Sequence, residues 1–300
     1  MKEYSRMNEI PSGSASDHYT PGILVLEGGA WRGMYTQGAL DAMMEEDLNL
    51  STVIGVSAGA LSALSYISGQ IGRSARTNLR HRHDSGYTGL SAVVHDHGVT
   101  GFNYLFNVLN KEEPLDEERF NDPRQRFIAA VTDITTGKQV YFEKGKCSDI
   151  FKAVQASATV PYVSEAVEID GSYYLDGGIA MKIPLDWALN EPEKKIVIIR
   201  TRDRKYRKPL KAPLSIINLE YSRRYPNLAS DLAQEAPRYN SLLNRIDQLE
   251  ASGRVFVLAP SQPVEISRFE GDVEALGNLY WLGYHDARQH IQEMKHYLAS

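Results

Sequence analysis

The chain has 300 residues, of which 42% are hydrophobic and 24% charged, with a formal net charge of −5 and one cysteine. That length holds one large domain or two small ones, and the composition is globular, which excludes collagen-like repeats and wholesale disorder. Cys147 alone makes neither an internal disulfide nor a CxxC metal knuckle, and the acidic balance argues against a dedicated nucleic-acid binder.

Residues 1–20 include Ser12, Ser14, Ser16, Asp17 and His18 and no apolar run, so they read as a flexible polar tail. A secretory signal needs ~7–15 consecutive apolar residues, which this stretch lacks. Residues 21–300 read as a single α/β domain without a linker or an internal repeat. Gly22-Ile23-Leu24-Val25-Leu26 is a continuous apolar run of the kind that forms a buried strand. It enters Gly28-Gly29-Ala30-Trp31-Arg32-Gly33, and a helical pattern follows through Leu40, Met43, Met44 and Leu48. Thr52-Val53-Ile54 is a second buried strand, and Ala58 to Ile67 has the small and apolar residues of a buried helix. Strand, helix, strand, helix in so short a span predicts a parallel sheet covered by helices. No segment reaches the ~18 apolar residues of a membrane span. A soluble, cytoplasmic protein is expected.

Arg73, Arg76 and Arg80 follow at helical spacing, with Arg82 close by. Phe102, Leu105, Phe106 and Leu109 share one helical face, which suits core packing or a wall for an acyl chain. Arg126 to Val131 pairs with Gln139 to Phe142 through Thr136-Gly137-Lys138, and Asp149 to Thr159 is a helix stopped by Pro161. Val167-Glu168-Ile169 and Ser172-Tyr173-Tyr174-Leu175 flank Asp170-Gly171, a strong hairpin signal. Lys194 to Thr201 is another buried strand. Arg200, Arg202, Arg204, Lys205, Arg207, Lys208 and Lys211 then crowd one basic stretch. Both basic segments suit a solvated loop or peripheral contact with an anionic membrane surface. A long helix from Asn227 to Ser252, a strand at Val255 to Leu258 and a helix from Val273 to Leu298 with a break near Gly283 complete the chain. Arg82 to Val99 and Lys205 to Pro213 are the expected mobile insertions.

Gly55-Val56-Ser57-Ala58-Gly59 matches G-x-S-x-G, a string that is weak alone and gains weight from its place between an apolar strand and an apolar helix. A nucleophile elbow needs that context, because it lifts a serine above the sheet edge on a tight turn. The helix start beneath Ser57 offers amides and a positive dipole end to developing negative charge. Gly28, Gly29, Ala30, Arg32 and Gly33 form a loop whose amides suit an anion or an oxyanion. Ala30 replaces the middle glycine of a dinucleotide fingerprint, and no P-loop lysine follows, so no nucleotide cofactor is expected. Asp176-Gly177-Gly178 alone is a turn. Ser57 needs a base, however, and Asp176 and His285 are the two candidates.

Taken in order, the Gly28–Gly33 loop, Gly55–Gly59, Ala156-Ser157-Ala158-Thr159-Val160-Pro161 and Asp176-Gly177-Gly178 resemble the bacterial patatin-like phospholipase family. The resemblance spans residues 22–186, and Leu279 to Ala287 looks like a family-type tail motif. It implies a three-layer α/β/α sandwich around a mostly parallel sheet. It further implies a serine acyl hydrolase of lipid esters, with Ser57 as nucleophile, Asp176 as proton acceptor and no metal. On that pattern Gly28, Gly29, Ala30, Arg32 and Gly33 are the oxyanion loop, Gly55 and Gly59 shape the elbow, and Gly177 and Gly178 form the turn after the base. Ala30 departs from the family loop, which usually has glycine there, and is strained if its φ is positive. A catalytically silent lipid-binding or regulatory protein on the same fold and a hydrolase using a Ser57–His285 pairing are the alternatives.

Overall fold

The computed structural model describes residues 3–87, 101–161, 164–210, 223 and 225–300. Of the expected insertions, 88–99 and 211–213 lie outside the described residues. Ten strands run in chain order: β1 (Gly13–Ser14), β2 (Thr20–Leu26), β3 (Leu50–Val56), β4 (Gln70–Ile71), β5 (Arg126–Asp133), β6 (Gln139–Glu143), β7 (Val167–Ile169), β8 (Ser172–Asp176), β9 (Ile196–Ile199) and β10 (Phe256–Leu258). The principal helices are α1 (Gly33–Glu45), α2 (Ala58–Ile67), α3 (Arg73–His81), α4 (Ile150–Ser157), α5 (Leu185–Asn190), α6 (Pro226–Ala233), α7 (Glu235–Ala251) and α8 (Val273–Ala299).

Eight strands form one sheet in the order β10-β9-β2-β3-β5-β8-β7, with β6 also on β5. From β10 to β5 the pairs are parallel, while β8, β7 and β6 join antiparallel. The central strands are buried on both faces, which is why they read as continuous apolar runs. Leu24 and Leu26 pack with α1, α2 and α8, whereas Ile23 and Val25 pack with α5 and α7. The sheet is therefore the middle of three layers. At the β7–β8 turn both Asp170 and Gly171 have positive φ, the conformation a two-residue hairpin demands.

Four expectations change. Residues 3–19 are packed, not a free tail: Tyr4, Ile10 and Ala15 are buried, β1 pairs with β4, and Arg76 donates to Pro11 O at 2.7 Å. Their isolated apolar side chains carry no periodicity that a sequence pattern would detect. The long helix expected from Asn227 divides at Gln234, because Pro237 lacks an N–H and its ring crowds the carbonyl of Ala233. The Tyr104–Leu109 segment is a π-helical turn, so Leu105 and Phe106 face a cavity while Phe102 and Leu109 are buried beside it.

The fourth change is at Gly283, where α8 runs unbroken. This glycine permits a close helix crossing. A Cβ on Gly283 would lie 2.0 Å from Tyr35 O, and one on Gly38 would lie 1.9 Å from Tyr280 O. Because both obstacles are backbone atoms, an added methyl must push the two helices apart. Gly283→Ala is expected to destabilise the fold by about 2–3 kcal/mol. Urea denaturation at constant m-value measures it, and a loss below about 0.5 kcal/mol would show that the crossing has slack.

Candidate active site

β5 brings the two candidate reactive residues together. Val56, the last residue of β3, lies opposite Ala130, while Asp176, the last residue of β8, lies opposite Val131. Ser57 follows Val56 directly, so its side chain meets the end of β8. Ser57 Oγ donates to Asp176 Oδ2 at 2.7 Å. The serine sits at φ +54°, ψ −124° between β3 and α2, a conformation that costs a non-glycine residue about 1–3 kcal/mol. Its flanking glycines make room for the turn: a Cβ on Gly55 would lie 2.6 Å from Ala60 N, and one on Gly59 2.5 Å from Leu26 O.

Ser157, at the end of α4, holds the turn. Its hydroxyl donates to Ala130 O at 2.6 Å and accepts the Ser57 N–H at 2.8 Å, and its carbonyl accepts the Gly177 N–H at 3.2 Å. One fully buried hydroxyl thus ties β5 to the elbow, and its backbone ties in the turn after Asp176. The Ala156–Pro161 motif contains this residue, although nothing in its spacing assigns the role.

Asp176 Oδ1 accepts the Gly178 N–H at 2.7 Å, its carbonyl accepts Thr132 Oγ1 at 2.8 Å, and its own N–H donates to Thr159 O at 2.9 Å. Gly177 is pressed against β5, where a Cβ would lie 2.2 Å from Ala130 O. Removal from water raises the Asp176 pKa above the ordinary carboxylate value. The Lys182 charge, the Ser57 hydroxyl, the Gly178 amide and the Arg268 charge oppose that rise. His285 is exposed on α8 and stacks on Trp281 with ring centroids 5.7 Å apart. The hydrogen-bond partner of Ser57 Oγ is the carboxylate, which removes the Ser57–His285 pairing.

The glycine-rich loop lies across the elbow, with Gly28 against Ser57 and Gly33 against Ala58. Its amides divide into two sets. Gly28 N–H donates to Lys182 O at 3.2 Å, Arg32 N–H to Gly29 O at 3.2 Å, and Gly33 N–H closes the turn onto Ala30. Among the described residues the Gly29 and Ala30 amides have no protein acceptor, and Ala58 N–H stands at the open start of α2. Ala30 does have positive φ, +49°, so alanine carries strain of about 1 kcal/mol and still presents its N–H. Glu27, buried at the end of β2, accepts Thr201 N at 2.6 Å and also takes the Tyr239 hydroxyl, which presses Thr201 against Gly29. Arg32 is half-buried, donates to Ile266 O at 3.5 Å, and has its pKa lowered chiefly by burial.

Ser57 lines a cavity of about 580 Å³ whose walls include Trp31, Met34, Leu61, Leu105, Phe106 and Phe151. The basic segments are largely engaged inside the fold. Arg200 is fully buried against Asp247, Arg207 pairs with Asp247 and Lys208 with Glu235, while Arg76 pairs with Glu113. Lys211 lies outside the described residues. Among the described residues no group of His, Cys, Asp and Glu is arranged to hold a metal ion, and no helix is long and apolar enough to cross a membrane.

Residues 24–189, which carry the elbow, the loop and Asp176, match the family model of the patatin-like phospholipases. The chain belongs to this family. A second family model, a domain of unknown function (DUF6363), matches residues 225–299. The uncharacterized protein YjjU of Escherichia coli K12 is 28% identical over 190 residues, 61% of this chain and 53% of that protein. The probable lipid hydrolase 463L of Invertebrate iridescent virus 6 is 28% identical over 189 residues, 57% of this chain and 64% of that protein. The matches thus cover between half and two-thirds of the length of these curated relatives. The crystal structure of VipD from Legionella pneumophila superposes with a TM-score of 0.47 at 13% identity, over 94% of this chain and 68% of that one.

In this patatin-like chain the Ser157 hydroxyl is the connection with no substitute. Ser157→Ala leaves the Ser57 N–H and one Ala130 carbonyl lone pair buried without partners, and a loss of about 2 kcal/mol is expected. Thermal unfolding measures it; an unchanged midpoint would show that another group takes over both bonds.

Proposed function

We propose that the chain is a serine acyl hydrolase of lipid esters, a lysophospholipase- or phospholipase-type carboxylic ester hydrolase. The observation that carries this reading is the 2.7 Å hydrogen bond from Ser57 Oγ to Asp176 Oδ2 at the wall of an apolar cavity. An alcohol is a poor nucleophile at neutral pH until a positioned base takes its proton. In this reading Asp176 takes the proton as Ser57 Oγ attacks the ester carbonyl. The tetrahedral oxyanion collects the Ala58, Gly29 and Ala30 amides, and the leaving alcohol departs with the proton from Asp176. Water then attacks the acyl-enzyme, Asp176 again accepts a proton, and Ser57 is released with the carboxylic acid. The raised pKa of Asp176 suits it to both steps, because a stronger base draws the serine proton more readily. The cavity takes the acyl chain, and access to a lipid surface would be peripheral.

A fluorophosphonate probe is expected to label the chain, and Ser57→Ala to abolish labelling. Equal labelling of both overturns the assignment. Ser57→Ala and Asp176→Asn are each expected to lower kcat for p-nitrophenyl butyrate by at least about 10³-fold, and near-normal turnover by Asp176→Asn removes it as the base. The pH profile gives a separate check. Only ionised Asp176 accepts a proton, so the rate falls as pH drops through its raised pKa. The Lys182 charge favours ionisation, so Lys182→Met raises that pKa further and moves the acid limb to higher pH. An unmoved limb, or one displaced to lower pH, contradicts the assignment of that limb to Asp176.

A further inference from the structure

The C-terminal region supplies one loop, residues 264–270, to the rim of the cavity. Arginines from separate parts of the fold hold its carbonyls: Arg202 donates to Val264 O, Arg32 to Ile266 O at 3.5 Å, and Arg82 to Phe269 O at 3.2 Å and Glu270 O at 2.5 Å. The Glu270 carboxylate is occupied by the amides of Ser267, Gly271 and Asp272, at 3.4, 3.0 and 3.0 Å. The loop therefore enters the rim held in place and with its acid at 270 already engaged. It places Arg268 and Phe269 on the cavity lining, with Phe269 60% exposed.

Arg268 differs from the arginines that hold the loop. It is exposed and makes no hydrogen bond, ion pair or ring contact among the described residues. The charged side chains on the cavity lining are Arg73, Arg82, Arg268 and Glu117, three cations to one acid. An unpaired guanidinium thus belongs to a lining of net positive charge, on the same cavity as Ser57.

We propose that Arg268 is a head-group recognition residue, which binds the anionic head group of a phospholipid whose ester lies at Ser57 and whose acyl chain fills the cavity. The proposal rests on the acyl-hydrolase reading above. It gives the region matched by a family model of unknown function a part in substrate choice. A head group of net negative charge gains a charge-assisted hydrogen bond from the guanidinium. A choline head group brings a fixed cation to a rim that is already positive, so phosphatidylglycerol is preferred to phosphatidylcholine.

The test measures equilibrium binding of monomeric dihexanoyl phosphatidylglycerol and dihexanoyl phosphatidylcholine by calorimetry. The Ser57→Ala chain is used so that nothing is turned over, and concentrations stay below micelle formation so that no interface contributes. The phosphatidylglycerol is expected to bind about fivefold or more tightly. Adding Arg268→Gln should lower the affinity ratio at least about twofold, Arg268→Lys should show part of that loss, and Arg268→Glu should lower the ratio further than Arg268→Gln. Equal affinities in the parent, or an unchanged ratio in Arg268→Gln with a normal melting profile, overturns the proposal. Turnover of p-nitrophenyl butyrate by the unaltered chain reports separately on the hydrolase reading, so either idea can fail alone.

Discussion

Everything at the site depends on strand β5 serving as a common ruler. It pairs with β3 in parallel up to Ala130 and with β8 antiparallel from Val131, so the ends of both strands meet at adjacent positions along one backbone. A one-residue slip of β8 would turn Asp176 to the other face of the sheet. Several contacts guard against that slip. Gly177 sits on Ala130 O with no room for a side chain, Thr132 Oγ1 holds Asp176 O, and Ser157 Oγ takes the Ala130 carbonyl itself. The Ser57–Asp176 distance thus follows from sheet register, which the Thr132 and Ser157 hydroxyls help to hold.

That arrangement also accounts for how the strain at Ser57 is sustained. A positive-φ serine opposes the fold unless its surroundings leave no alternative. Here the Ser57 N–H is claimed by a buried hydroxyl, its carbonyl starts α2 by accepting Leu61 N–H, and Oγ is held by the carboxylate. Each polar group of the residue has a partner, and each partner lies on a different element. Ala30 also has positive φ with fewer ties, since its amide has no protein acceptor among the described residues. Strain at the elbow is locked by hydrogen bonds, while Ala30 is held through its carbonyl, which accepts the Gly33 N–H, beside the packing of Gly29 on Thr201.

The parts of the fold that were legible in the sequence are those that repeat. Continuous apolar runs gave β2, β3 and β9 because both faces of those strands are covered, and Asp170-Gly171 marked its hairpin because few residue pairs accept two positive φ angles. At the site, the Ser57 elbow and the glycine loop were legible because tight turns restrict residue choice, whereas Asp176 stood apart from His285 only through the family resemblance. Features that rest on one contact were not legible. Tyr4, Ile10 and Ala15 show no period, Gly283 resembles a helix breaker until its partner helix is known, and Ser157 looks like any small residue in a helix. Arg268 lies in a polar loop whose importance depends wholly on what folds beneath it. The basic stretch from Arg200 misled for the opposite reason: charge density along a sequence says nothing of the acids waiting on α7.

The C-terminal region is joined to the sheet domain by more than that loop. Helix α8 crosses α1 at paired glycines, and the crossing carries two buried carboxylates. Asp41 accepts Tyr280 OH at 2.8 Å and Gly72 N–H at 2.9 Å, while Asp286 accepts Tyr35 OH at 3.1 Å and Ser261 N–H at 2.9 Å. Each acid lies on one helix and takes a tyrosine from the other, so removing either helix leaves a buried carboxylate without its donor. Burial at the crossing pushes the Asp41 pKa up to about 7. Helix α1 begins at Gly33, the last residue of the glycine loop, and the 264–270 loop runs directly into the start of α8. The crossing therefore sets the glycine loop and the Arg268 loop against each other across the cavity. Residues 225–299 thus contribute Arg268 and Phe269 to the lining of the cavity on which Ser57 also lies.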